Sequence, residues 1–449
     1  MKKKLPRITK IVYGSGDLGF SLTTTIIGAY FLYYLIDVVG LSPAVAGVSI
    51  LIGRTWDYIN DPLIGHLSDR TRTRWGRRRP FLLFGAVPFA LAFMLMWYRP
   101  PIEGQVALAA YYAFAYVIFD AAATFVYMPY FALTPELTED YDERTSLTSY
   151  RMFFSIFGSL LAFTIPLSIV GTFTPDNAAR VTLMGVIFGI LSALPLWLVF
   201  FFTEEKKAFI THEKPKLLAS LKAAFKNRPF VFGAVIYLLT WISMDILQAT
   251  LLFFVKYVLD LEDMSDLIMA LIFVTAIIAL PFWESASRKM NKRLAYAYGV
   301  GFWAVVQIIL ISVGASVSLP VIIFLCVMAG IGVGAAHVLP WSIIPDAIEW
   351  DEYQTGERHE GMFYSLITLM QKVASSLAIP LVGVLLEVTN YQPNAAEQPL
   401  SAVTGIRMLV GPIPAVFLTV GIIFALKYPL DRLQYSNIVQ ELQNRREKA

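Results

Sequence analysis

A single cysteine, Cys326, stands in the 449-residue chain, inside an apolar run. One thiol cannot close an internal disulfide, and no cysteine cluster exists to hold a metal, so packing is its expected role. Histidine is almost as scarce. His66, His212, His337 and His359 are scattered, with no H-E-x-x-H spacing and no second ligand cluster. His337, alone in an apolar run, reads as a packed or cavity-lining side chain. No G-x-x-x-x-G-K-S/T stretch is present, so ATP is not expected to be the energy source within this chain. Charged residues make up only 15%, which excludes the surface of an ordinary soluble domain. With no reactive constellation in view, the chain is expected to be no enzyme and to carry no organic cofactor, no resident metal and no nucleic-acid partner.

What is abundant is apolar surface, at 57% of residues. Runs long enough to cross a hydrocarbon core of roughly 30 Å recur about twelve times. They centre near Ile27, Arg54, Ala90, Asp120, Leu160, Ser192, Met244, Phe273, Ile308, Gly330, Val373 and Leu418. The expected fold class is therefore an all-α membrane protein of twelve transmembrane helices. About 29 of the 36 Lys and Arg fall in the N-terminal tail, alternate loops and the C-terminal tail, which places both termini in the cytoplasm. Lys2, Lys3, Lys4, Arg7 and Lys10 precede an apolar stretch too long for a signal core, so the first helix is expected to stay. The reading is a monomer integral to the plasma (inner) membrane.

A polar segment splits the runs six and six: residues 1–202, a cytoplasmic linker at 203–229, and residues 230–449 with a cytoplasmic tail. Within the linker, Leu217, Leu218, Leu221 and Phe225 follow helical spacing beside Lys214, Lys216, Lys222 and Lys226, as in an amphipathic helix on the inner membrane surface or a solvated linker helix. The halves echo each other. Pro129-Tyr130, Pro135-Glu136 and Glu143-Arg144 follow the fourth run, and Pro340-Trp341, Pro345-Asp346 and Glu357-Arg358 follow the tenth. The basic loop from Arg70 to Arg79 has a counterpart in Arg288, Lys289, Lys292 and Arg293. Such parallel repeats are the signature of a transporter with its site at the repeat interface.

Asp57 and Asp61 lie one turn apart in the second run, which puts two carboxylates on one face of a spanning helix. Each buried charge costs about 2.5 to 3.5 kcal/mol on insertion scales, and the two repel each other, so a cation is expected between them. Asn60 adds a neutral oxygen, and Pro62 offers no N–H to the carbonyl of Tyr58. The alternative is a structural ion pair with Arg54, one turn before Asp57.

Beyond these patterns, the chain resembles the glycoside-pentoside-hexuronide:cation symporters of the major facilitator superfamily, the group of the bacterial melibiose permease. The likeness rests on Tyr34 to Ser42 (YLIDVVGLS), Arg54 to Gly65 (RTWDYINDPLIG), Asp69 to Pro80 (DRTRTRWGRRRP), Tyr150 to Phe154 (YRMFF) and Pro345 to Glu352 (PDAIEWDE). It implies the major facilitator fold of two six-helix bundles. It also implies a cation site of Asp57, Asn60, Asp61 and Thr124, all oxygen donors, which favours Na⁺ as coupling ion with a proton as the alternative. Gly65, Asp69, Arg77 and Arg78 match the superfamily's gate-locking loop. Lys372 matches a lysine facing the cation site, able to link ion occupancy to rocking of the halves or to form a permanent bridge. Arg151 matches an arginine of substrate binding or gating, and would also serve as a cytoplasmic anchor.

Sugar-carrying members hold sugar hydroxyls with acidic residues where this chain has Ser21 and Tyr127. Compensating carboxylates are Asp17, one turn before Ser21, then Asp120 and Asp245, each also readable as a buried hydrogen-bonded group. Tyr127 is expected to offer an aromatic face to the solute. The expected function is cation-coupled symport of a small organic solute, a sugar or glycoside, by alternating access. Thr124 to Thr134 (TFVYMPYFALT) also resembles the vertebrate lysophospholipid symporters, which keeps an amphiphile as the alternative.

Overall fold

The computed structural model describes residues 5–138, 141–205, 224–356, 360–430 and 432–448. Among them there is no β-strand, only an isolated bridge between Thr73 and Gly76. Among the described residues, ten helices are long and apolar enough to cross a membrane. The other two expected spans are interrupted ones. The first begins as α1 (Arg7–Ile26) and runs on through π-helical stretches at Ile27–Phe31 and Tyr34–Val39 to a left-handed Gly40. The second is α2 (Pro43–Thr55) and α3 (Asp57–Arg70), parted at Trp56. There the Trp56 and Ile59 amides bond three residues back, to Gly53 and Trp56, instead of four. Asp57 opens α3, where the positive end of the peptide dipoles favours a carboxylate.

The regular spans follow as α4 (Arg79–Met96), α5 (Gln105–Leu137), α6 (Tyr141–Val170) and α7 (Ala178–Phe202). After them come α8 (Arg228–Tyr257), α9 (Ser265–Lys289), α10 (Lys292–Leu310), α11 (Leu319–Thr355) and α12 (Glu360–Val388). The last span is α13 (Leu400–Val410) and α14 (Pro412–Leu426), parted at Gly411, and a polar α15 (Arg432–Lys448) ends the chain. Asn227 and Asn291 start α8 and α10 by accepting the amides of Phe230 and Arg293. Pro340 and Pro345 sit inside α11, as membrane helices tolerate where neighbours satisfy the freed carbonyls. Large apolar side chains such as Phe84, Phe114, Ile278, Phe282 and Phe324 stay exposed, as a lipid-facing surface requires.

The chain forms two compact units. Unit 1 holds residues 1–212 with 262–267 and 383–398, and unit 2 holds 213–261, 268–382 and 399–449. Segment 383–398, read from sequence as part of the second half, is tied into unit 1 by polar contacts. The Tyr391 hydroxyl donates to the buried Asp37 carboxylate at 2.8 and 3.1 Å, and the Ala44 amide donates to Glu387 at 3.3 Å. The linker helix expected around Leu217 and Leu218 lies outside the described residues, as do His212, Glu357, Arg358 and His359.

Inside unit 1, α1 packs closely on both α6 and α7. A side chain at Gly19 would collide with the Ser192 carbonyl oxygen and meet the Tyr127 hydroxyl at 2.8 Å. At Gly65 it would meet nothing within 4 Å. Overpacking a helix crossing costs roughly 1–3 kcal/mol. Gly19→Val is therefore expected to lower the melting temperature of the detergent-purified protein by several degrees, and Gly65→Ala to leave it unchanged, as read by intrinsic fluorescence on heating.

Candidate functional site

The break at Trp56 places Asp57 and Asp61 on the first turns of α3, facing α5. The Thr124 hydroxyl lies 3.2 Å from Asp61 Oδ1 and 3.5 Å from Asp57 Oδ1. One hydroxyl carries one proton, so it cannot satisfy both carboxylates at once. Three oxygen-bearing side chains converge here, the ligand type that hard cations prefer. Asn60 is turned differently: its Nδ2 donates to the Asp120 carbonyl at 3.4 Å, which ties α3 to α5. Arg54 donates through Nε to the Tyr116 hydroxyl at 2.9 Å. Asp120 itself is buried on α5, one turn before Thr124.

A second polar line runs along the seam between α1 and α6. Asp17 Oδ2 lies 2.5 Å from Arg151 Nε, Ser21 pairs with Ser155 at 2.6 Å, and Thr25 donates to Ser159 at 3.2 Å. Each step advances four residues on both helices, so the three pairs share one register and form a ladder from an ion pair to neutral hydroxyls. The guanidinium also lies over the rings of Phe131 at 4.7 Å and Tyr130 at 5.5 Å. Of this ladder the sequence reading named Asp17, Ser21 and Arg151. It passed over Thr25, Ser155 and Ser159, although the spacing in fours was visible in both runs.

Tyr127 is 3% exposed, and its ring packs against Phe20 at 4.9 Å, Phe89 at 5.3 Å and Phe131 at 6.0 Å. In this conformation the stacking partners are the protein's own rings. Its hydroxyl, like that of Ser192, is buried with no hydrogen-bond partner among the described residues.

In unit 2, the Ser375 hydroxyl donates to the Asp245 carboxylate, one turn from the half-buried Lys372 on α12. The Tyr237 hydroxyl donates to Gln371 at 3.0 Å, and the Trp241 ring meets His337 edge-on at 5.7 Å. His337 is thus packed, its Nδ1 3.1 Å from the Val333 carbonyl. Asp245 and Lys372 belong to unit 2, whereas Asp57, Asp61, Thr124, Asp17 and Arg151 belong to unit 1.

The basic loop between α3 and α4 closes on an acid at the end of α5. Arg77 Nη2 and Arg78 Nε reach Glu136 Oε1 at 2.7 and 2.5 Å, and Arg78 Nη1 reaches the Ser68 hydroxyl at 3.1 Å. Glu205, which the sequence did not single out, caps the start of α4 by accepting the amides of Arg77, Arg78 and Arg79 at 2.7 to 2.8 Å. Gly76 admits that carboxylate, since a side chain there would strike it and its φ of +106° suits only glycine. The side chain of Asp69 lies outside the described residues. Unit 2 repeats the device at the matching place: Lys292 Nζ lies 2.5 Å from Asp346 Oδ1. The echo of Pro135-Glu136 in Pro345-Asp346 is thus an echo of contacts.

Membrane helices in two units, each closing a basic segment onto an acid near the end of a long spanning helix, make this a transporter of the major facilitator fold. The xylose transporter XylE of E. coli in its inward-open conformation superposes with a TM-score of 0.67 over 94% of this chain and 96% of that one, at 13% identity, a likeness of fold alone. The chain belongs to the family described as MFS/sugar transport protein, which matches residues 12–432. It is 33% identical to an uncharacterized symporter of Synechocystis over 99% of this chain and 98% of that protein. It is 27% identical to the sodium-dependent lysophosphatidylcholine symporter 1-A of Danio rerio over 100% and 90% respectively. It is an integral membrane protein whose relatives include symporters, one of them sodium-dependent.

Removing the acid under the two arginines tests the loop lock. Breaking a buried pair from one side costs about 3 to 5 kcal/mol. Glu136→Gln should therefore destabilise unit 1 by about 3 kcal/mol, while Arg77→Lys, which keeps a charge near Glu136, should cost less than half of that. Thermal unfolding of the two variants in one detergent checks the order.

Proposed function

We propose that this protein is a Na⁺-coupled symporter of a sugar or glycoside, of the melibiose-permease type, working by alternating access in the plasma (inner) membrane. The observation that carries the reading is the convergence of Asp57, Asp61 and Thr124 at the break between α2 and α3. Two carboxylates on one helical turn repel, and a monovalent cation between them relieves that repulsion while the hydroxyl completes an oxygen shell. Na⁺ bound there would draw α3 and α5 together, and its loss would loosen them. Ser21, Asp120, Tyr127 and Arg151 are the solute-facing candidates of unit 1, and Asp245 and Lys372 those of unit 2. Gly65, Asp69, Arg77 and Arg78 serve the gate. A cation moving down about 100 mV yields about 2.3 kcal/mol, enough for roughly fifty-fold accumulation of a neutral solute.

A second reading, symport of a lysophospholipid, draws on the sodium-dependent lysophosphatidylcholine relative and on one feature of unit 1. A cleft of about 490 Å³ lined by Ile11, Ser149, Tyr150, Phe153 and Phe154 is apolar enough for an acyl chain.

Uptake into proteoliposomes separates these readings. A panel of labelled glycosides and lysophosphatidylcholine, each offered with a Na⁺ gradient, a proton gradient or neither, should show Na⁺-driven accumulation of a glycoside. Accumulation driven by protons alone would remove Na⁺ as the coupling ion. In the same assay Asp57→Asn and Asp61→Asn are each expected to reduce accumulation at least tenfold while the protein still inserts, and normal uptake in both would dismiss the site. Lys372→Ala is expected to keep solute binding but lose its dependence on the cation. Unchanged dependence would make Lys372 a structural residue.

A further inference from the structure

We propose that Asp17 sets the charge class of the solute: by neutralising Arg151 within the α1–α6 ladder, it tunes that seam to uncharged, hydroxyl-bearing solutes and against those bearing phosphate. This inference rests on the reading above that Ser21 and Arg151 face the solute.

The geometry has three parts. Asp17 is 4% exposed, and its carboxylate is spent on the guanidinium Nε at 2.5 Å. The face of that guanidinium is covered by Phe131 and Tyr130. What remains is an edge of Arg151, whose side chain is 16% exposed. A phosphate reaching that edge would place two anions on one cation in a poorly solvated seam, and nearby like charges disfavour each other strongly there. An alcohol meets no such penalty. It can accept from the edge of Arg151 and continue down the ladder to the half-buried hydroxyls of Ser155 and Ser159. Neutral donors and acceptors in series around a cancelled ion pair complement a polyol. They do not complement an anionic headgroup, which would call for an arginine without its carboxylate.

Inorganic phosphate is the probe, because its binding does not depend on which solute is carried. Calorimetric titration of the detergent-purified protein in saturating Na⁺ should show no phosphate binding attributable to Arg151 in the parent. Asp17→Asn should bind phosphate at least tenfold more tightly than the weakest binding the titration detects, and the added change Arg151→Gln should abolish the gain. Asp17→Glu, which keeps the charge, should behave as the parent. A parent that binds phosphate and loses it on Arg151→Gln overturns the proposal, as does an Asp17→Asn protein that folds and gains nothing. Should Asp17→Asn fail to fold, the parent and its Arg151→Gln variant still decide. A gain of phosphate binding in a protein that takes up no glycoside would leave the role of Asp17 standing and remove the glycoside reading.

Discussion

A charge held within a membrane-spanning bundle must find its opposite inside the protein, and the described structure is organised around that constraint. An ionised side chain placed there costs a few kcal/mol, and ion pairs between neighbouring elements offset that cost at three places. Asp17 with Arg151 ties α1 to α6, Arg77 and Arg78 with Glu136 tie the loop after α3 to α5, and Lys292 with Asp346 ties α10 to α11. Asp57 and Asp61 stand one turn apart on α3. They bring two charges of one sign to one hydroxyl, at a place where the helix is already interrupted.

The two loop locks show how one device is built from different side chains. In unit 1 two guanidinium groups share a single carboxylate oxygen, and Glu205 fixes the backbone that carries them through three consecutive amides. In unit 2 an ammonium does the same task alone, with the Tyr435 ring of α15 5.1 Å from it. A guanidinium fork holds direction as well as distance, whereas an ammonium is a point charge with three rotatable donors. The first lock is therefore the more rigid.

The π-helical stretches of the first span serve the same end by other means. Widening the helix over Ile27–Phe31 and Tyr34–Val39 brings Tyr30, Tyr34 and Asp37 into buried contacts. Tyr30 donates to the Phe163 carbonyl at 2.6 Å, and Asp37 accepts from Tyr391. The wider turn aims these side chains at partners that a regular α-helix would place elsewhere.

The sequence by itself determined the class: apolar runs of spanning length, the bias of lysine and arginine, and the repeat of Pro-acid pairs after the fourth and tenth runs leave little choice but a membrane transporter of two repeated halves. It also determined which residues carry charge in the wrong solvent, which made Asp57 and Asp61 legible, whereas Asp17 and Arg151 were legible through the family resemblance. Which charge meets which was not legible, because pairing depends on helix register and rotation, set by close approaches such as Gly19 against Ser192 that composition does not encode. Only the tertiary structure turned Tyr127 into its own aromatic cluster, gave Glu205 its place on three amides, and joined Asp17, Ser21 and Thr25 to Arg151, Ser155 and Ser159. Hydropathy is a property of each residue in turn, whereas neutralising a buried charge is a property of two helices at once.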